Sequence, residues 1–151
     1  MDVTYRDFEE RDFGELREMV FCLYNEDPEG LAISDEKIAG TIRESEEFPE
    51  KLRIVMICAD EKVIGYCLMV FYWSNEYGGD ILNIDELYIR KEYRNAGIAS
   101  DFIRRQTRAY ENVVAVAVEA TPSNDAAGRL YSRLGFEPSP NTHLTLLLYQ
   151  D

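Results

Sequence analysis

Arg94-Asn95-Ala96-Gly97-Ile98-Ala99 joins a strand-forming run to a helix-forming one, and its reading decides the fold. Upstream, residues 80–90 (DILNIDELYIR) read as a strand; downstream, Gly97 starts a helix that reaches about Glu111. Next comes Val-Val-Ala-Val-Ala-Val, residues 113–118, a wholly apolar and valine-rich strand. A strand, a helix of this length and another strand make a parallel crossover unit, which predicts that residues 113–118 are buried on both faces. At the junction the first helical N–H groups lack internal partners and the helix dipole is positive, so a pyrophosphate fits there. Gly97 lets the backbone approach a ligand closely, and the small Ala99 lets the helix begin near the sheet.

Working outward, residues 3–8 read as a first strand, and Asp12 as the cap of a helix running to about Tyr24. Phe13, Leu16, Met19, Val20 and Leu23 recur along that helix at helical spacing. Residues 25–30 form a loop, and Ser34 opens a second helix that continues to about Glu44. The short link Asp60-Glu61-Lys62 makes residues 53–59 and 63–73 an antiparallel hairpin, and the turn at 74–79 returns residues 80–90 antiparallel again. Asn124 to Leu134 is a further helix, closed by Gly135 in the left-handed conformation, and residues 144–149 form the last strand. The expected fold is mixed α/β: an antiparallel meander leading into one parallel β-α-β unit, with helices on both faces.

The 151 residues fit one domain, expected to span 1–151, and 46% hydrophobic residues allow a sizeable core. No apolar run is long enough to cross a bilayer, and residues 1–6 lack the layout of a signal peptide. Cys22, Cys58 and Cys67 show neither a disulfide pattern nor metal-ligand spacing. They read as small buried hydrophobes in a reducing cytoplasm, and no metal is expected. The net charge is −13, of which residues 1–50 carry −11, with 16 acidic against 5 basic side chains. So acidic a half repels nucleic acid and anionic membranes and draws cations. Residues 90–108 reverse the sign, with Arg90, Lys91, Arg94, Arg104, Arg105 and Arg108 against two acidic residues. That excess suits either a polyanionic cofactor or a solvated helix face.

Two stretches then match a family pattern. Ile84-Asp85-Glu86-Leu87-Tyr88-Ile89-Arg90-Lys91-Glu92-Tyr93-Arg94-Asn95-Ala96-Gly97-Ile98-Ala99-Ser100 resembles the acetyl-coenzyme A segment of the GNAT superfamily, whose motif is Arg or Gln, two residues, Gly, one residue, then Gly or Ala. Asn124-Asp125-Ala126-Ala127-Gly128-Arg129-Leu130-Tyr131-Ser132-Arg133-Leu134-Gly135-Phe136 resembles its second signature: Asn, a small residue, Leu-Tyr, then Gly-Phe. Many members carry Gly-Lys or Gly-Arg where this chain has Asn95-Ala96, so one phosphate-side contact is missing while the backbone amides still serve.

The resemblance implies acetyl-coenzyme A as cosubstrate. Its pantetheine arm would pair with the backbone of Leu87, Tyr88 and Ile89, and its pyrophosphate would rest on the amides from Arg94 to Ala99, with Ser100 also in the cofactor-binding segment. Asn124 would cap its helix and reach the pantetheine, and an N–H near Ile89 would hold the thioester oxygen. Tyr131 occupies the family position whose hydroxyl protonates the departing thiolate. A base is needed because an amine of pKa about 10.4 must lose a proton before it attacks. By resemblance to polyamine acetyltransferases Asp85 faces the acceptor. Glu86 is the alternative, because a bulge in the strand would exchange its faces.

The family's acceptor groove lies by the first two helices and the loop between them, where Glu26, Asp27, Glu29, Asp35 and Glu36 fall. Phe71-Tyr72-Trp73 and Tyr77 add aromatic faces for ammonium groups, and they fit equally a hairpin core or the edge of a homodimer. The expected acceptor is therefore a small cationic amine, polyamine- or aminoglycoside-like. A peptide acceptor (lysine or N-terminus) and a non-catalytic acyl-coenzyme A sensor remain open.

Overall fold

Alternating apolar residues in the middle of the chain build a sheet that helices cover on both sides. The computed structural model describes residues 1–28 and 30–149. In chain order its elements are β1 (Val3–Asp7), α1 (Phe13–Glu26), α2 (Asp35–Glu47), β2 (Leu52–Ala59), β3 (Lys62–Ser74), β4 (Gly79–Ile89), α3 (Ile98–Ala109), β5 (Val113–Val118) and α4 (Asp125–Arg133). The strands lie in the order β1-β2-β3-β4-β5; all neighbours are antiparallel except β4 and β5, which the α3 crossover makes parallel. The expected mixed fold is the observed one.

Successive residues of β2 serve opposite layers. Ile54, Met56 and Cys58 meet Leu16, Met19 and Val20 of α1 and Ile38 of α2. Val55 and Ile57 meet Ile98, Phe102 and Ile103 of α3, with Tyr131, Leu134 and Phe136 at the margin of that layer. Each large side chain buried this way contributes about 1.5–3 kcal/mol.

Ser34 caps α2 as expected, accepting from the Lys37 N–H at 3.2 Å. Asp12 does not cap α1. Its carboxylate instead accepts from the Glu9 N–H at 2.8 Å and from both Arg6 guanidinium nitrogens at 2.7 and 2.8 Å, which ties the preceding turn to β1. Gly135 closes α4 at φ +95°, and the Phe136 N–H reaches back to the Tyr131 carbonyl at 3.0 Å.

One irregularity re-aims β4. Leu68 pairs with Glu86 while Met69 pairs with Ile84, so Asp85 has no opposite residue and forms a bulge. Leu82 and Ile84 before it, and Leu87 and Ile89 after it, all join the α3 layer. Tyr88 joins the α1–α2 layer. Simple alternation put Asp85 on the face of Leu87 and Ile89, and Glu86 on that of Leu82 and Ile84. The bulge shifts the phase by one residue and separates Glu86 from those two.

The last expected strand does not form. Residues 144–149 make no ladder, and Leu144, Leu146 and Leu148 are 80–86% exposed. Their alternation satisfies a strand pattern, but strand preference is realised only against a paired, packed surface. In consequence β5 is an edge strand. It was expected to be buried on both faces, yet its residues are half-buried and Val114 is exposed.

Candidate active site

β4 and β5 pair only from Asp80/Val113 to Ile84/Val118. Beyond that point β4 continues to Ile89 without a partner on this side, and the strands part around a groove. The groove encloses about 340 Å³. Leu87, Tyr88 and Ile89 form one wall; Arg94, Asn95, Gly97, Ile98, Ala99 and Ser100 form its end; Asn124 and Tyr131 from the α4 region face them. Of the residues expected at a cofactor site, Ala96 alone does not line the groove.

The α3 end of the groove is built for an anion. Gly97 takes φ +77° and Asn95 φ +63°, so the chain turns sharply into the helix. No side chain caps α3. Among the described residues the N–H groups from Asn95 to Ser100 donate to no protein acceptor. A Cβ on Gly97 would meet nothing within 4 Å, so the space over these amides is open. These amides, the helix dipole and the gap between strands fit the phosphates and extended arm of a coenzyme A.

The arginines are arranged less simply than their count implied. Arg94 folds back, donating from Nε to the Ile89 carbonyl at 2.7 Å and pairing with Glu26 at 3.0 Å. Its guanidinium lies 5.1 Å from the centre of the Tyr88 ring. Arg90 is engaged by Glu15 and Glu18, and Arg105 by Asp101. Arg133 also lines the groove. Its place two residues before Gly135, near the end of the second motif, gave no signal of this.

A second cavity of about 250 Å³ opens between the sheet and helices α1 and α2. Asp85 and Glu86 both line it, and Glu86 is adjacent in sequence to the groove wall at Leu87. Glu86 is held from two sides, by the Tyr24 hydroxyl donating to Oε2 at 2.6 Å and the Tyr66 hydroxyl donating to Oε1 at 2.8 Å. Burial pushes the Glu86 carboxyl above the ordinary glutamate range, the two phenols pull it back, and Asp85 adds to the rise. Asp85 stands exposed at the bulge, and partial desolvation followed by the like charge of Glu119 raises it too. Burial raises the Tyr131 phenol, which therefore stays protonated at neutral pH. Neither tyrosine partner of Glu86 was marked by the sequence, since each lies outside both motifs.

Among the described residues, the acidic side chains expected around the acceptor are elsewhere. Glu26 borders the cofactor groove, Asp35 pairs with Arg17 at 2.6 Å, and Asp27 and Glu36 do not line the cavity. Glu29 lies outside the described residues. Tyr72, Trp73 and Tyr77 are exposed at the β3–β4 hairpin, while Phe71 packs on Tyr110. Among the described residues no group of three or more His, Cys, Asp or Glu could hold a metal ion.

The fold recurs in solved structures. A possible acetyltransferase from Clostridium difficile 630 superposes with a TM-score of 0.81 at 20% identity, over 97% of this chain and 99% of that one. AAC(6')-Iy, in complex with the bisubstrate analog CoA-S-monomethyl-acetylneamine, superposes with a TM-score of 0.75 at 16% identity, over 97% and 99%. An aminoglycoside acetyltransferase from an uncultured soil metagenomic sample, in complex with sisomicin, gives 0.68 at 12% identity, over 98% and 95%. A sequence search of curated proteins finds no match. The family model described as the acetyltransferase (GNAT) family matches residues 4–136, so the chain belongs to that family and is an acetyltransferase whose acyl donor is acetyl-coenzyme A.

Proposed function

We propose that the chain is an N-acetyltransferase that moves an acetyl group directly from acetyl-coenzyme A to a small amine, cationic when free in solution. The observation that carries this reading is the Glu86 carboxylate in the cavity beside the groove, with Tyr131 lining the groove itself. Acetyl-coenzyme A supplies an acyl group activated as a thioester. The amides from Asn95 to Ser100 hold its phosphates, with Arg133 beside them, and Leu87, Tyr88 and Ile89 offer the unpaired strand edge to its arm. Asn124 caps α4 through the Ala127 N–H at 3.1 Å and borders the same groove.

Deprotonating an amine of pKa about 10.4 at pH 7 costs about 4.6 kcal/mol, so a positioned base matters. Glu86 is that base. Each of its oxygens accepts one tyrosine hydrogen bond and keeps a further lone pair for the ammonium proton. Asp85 assists by adding negative charge where the cation docks. The Tyr131 hydroxyl delivers a proton to the departing sulfur. Two neighbours of the same fold were captured with an aminoglycoside or with an analog built on one, which supports a small amine as acceptor. Free-thiol release against a panel of small amines and peptides tests the reading. Turnover with a small amine is expected, and binding of acetyl-coenzyme A without turnover of any amine overturns it.

The same proposal takes residues 1–151 as one acetyltransferase domain. It places the protein in a reducing, cytoplasmic setting, which the free Cys22, Cys58 and Cys67 support. It also takes the protein as a homodimer, because the exposed leucines of residues 144–149 and the open edge of β5 are surfaces that a second copy would cover. Light scattering giving the mass of one chain at micromolar concentration removes the dimer.

A further inference from the structure

The acceptor cavity carries its charges in an order that selects one kind of amine. We infer that the preferred acceptor is a primary amine with a single positive charge and an apolar body, rather than a polycation; this rests on the acetyltransferase reading above. Three observations lead there. Leu16, Val20, Ile33, Ile54 and Leu68 surround most of the space. The two carboxylates in it, Asp85 and Glu86, are neighbours on β4 and so serve one ammonium group. Among the described residues, the only other charged side chain lining the cavity is a cation, Lys37 of α2, whose Nζ bonds the Ala32 carbonyl at 2.7 Å.

A diamine would fare poorly. With one ammonium at Glu86, its second would meet apolar walls, where an unpaired charge is costly, or Lys37, where like charges repel. An alkyl or aryl body instead gains about 25 cal/mol for each Å² removed from water. The cavity measures about 250 Å³. The body of a six-carbon amine fits a space of that size.

Hexylamine and 1,6-diaminohexane differ only in the second ammonium, so they isolate the effect. Binding of each to the coenzyme A-loaded protein is measured by calorimetry, and thiol release from acetyl-coenzyme A is measured alongside. Hexylamine should bind at least tenfold more tightly and show at least tenfold higher kcat/KM. Equal or tighter binding of 1,6-diaminohexane overturns the inference. If hexylamine binds preferentially but nothing is turned over, the cavity's selectivity stands and the acetyltransferase reading falls. Lys37→Glu, on an exposed helix position, should narrow the preference at least tenfold by giving the second ammonium a partner. An unchanged ratio would mean that Lys37 does not face the acceptor, and would overturn the charge argument.

Discussion

Tyr24 and Glu86 stand sixty-two positions apart, and a 2.6 Å hydrogen bond from the Tyr24 hydroxyl to Glu86 Oε2 joins the last turn of α1 to the strand beside the cofactor groove. That bond favours the charged carboxylate, against a burial that disfavours it. Tyr24→Phe removes one of the two hydrogen bonds that favour the carboxylate and leaves the burial in place. The Glu86 carboxyl should then titrate higher, and the acid limb of kcat/KM should move to higher pH while the plateau above it is nearly kept. Glu86→Gln should abolish the limb and lower kcat by about 10²–10⁴-fold, the usual worth of a general base. A pH–rate profile of the three proteins checks both. A limb that stays fixed in Tyr24→Phe excludes Glu86 as the titrating base.

Tyr131→Phe separates proton delivery from packing. The ring stacks edge-on to Phe136 at 5.6 Å, a contact that phenylalanine preserves. Loss of the hydroxyl should lower kcat about 10²-fold or more and leave acetyl-coenzyme A affinity within about twofold. Because burial raises the phenol, its deprotonation should impose no alkaline limb below pH 10 in the parent protein. Steady-state kinetics with calorimetric binding decide it, and an unaltered kcat would remove Tyr131 from the chemistry.

The Arg6–Asp12 pair should govern acid stability. Its hydrogen bonds from Arg6 and the Glu9 N–H hold the Asp12 carboxyl below its ordinary range, and the side chain is only 4% exposed. A depressed folded value means stability that is present above the unfolded pKa of about 3.9 and is lost as pH falls through the folded value. Asp12→Asn should therefore cost about 1.5–3 kcal/mol at pH 7, and the deficit should shrink below pH 4. Urea denaturation at pH 7 and pH 3 measures both; a deficit independent of pH would refute the linkage.

Local signals served the sequence reading well and long-range ones did not. The Arg94–Ser100 turn, the Ser34 and Gly135 caps and the apolar run of β5 each lie within a few residues of what they determine. The bulge at Asp85 depends on how Leu68 and Met69 pair with another strand, so alternation could offer Glu86 only as the alternative to Asp85. Tyr24 and Tyr66 reach Glu86 only after α1 and β3 are packed. The acidic excess of residues 1–50 pointed to the acceptor, yet Asp12, Glu15, Glu18, Glu26 and Asp35 are engaged by arginines. Composition counts charges, and folding decides which of them are already paired.

Gly97 tests the cofactor site through a matched control. Gly97 and Gly78 adopt φ +77° and +69°, and a Cβ on either would meet no atom within 4 Å. Alanine at each position therefore meets the same left-handed strain, about 1–2 kcal/mol, with no clash to add to it. The surroundings differ. Gly78 sits in the β3–β4 hairpin, whereas the new methyl at 97 would stand where the open amides of α3 receive phosphate. Gly78→Ala and Gly97→Ala should lose similar stability in thermal melts, and only Gly97→Ala should lose acetyl-coenzyme A affinity, by about tenfold or more. Matching affinities for the two variants would show that the phosphates do not rest on these amides. The groove between β4 and β5 would then have to hold the coenzyme by its arm alone.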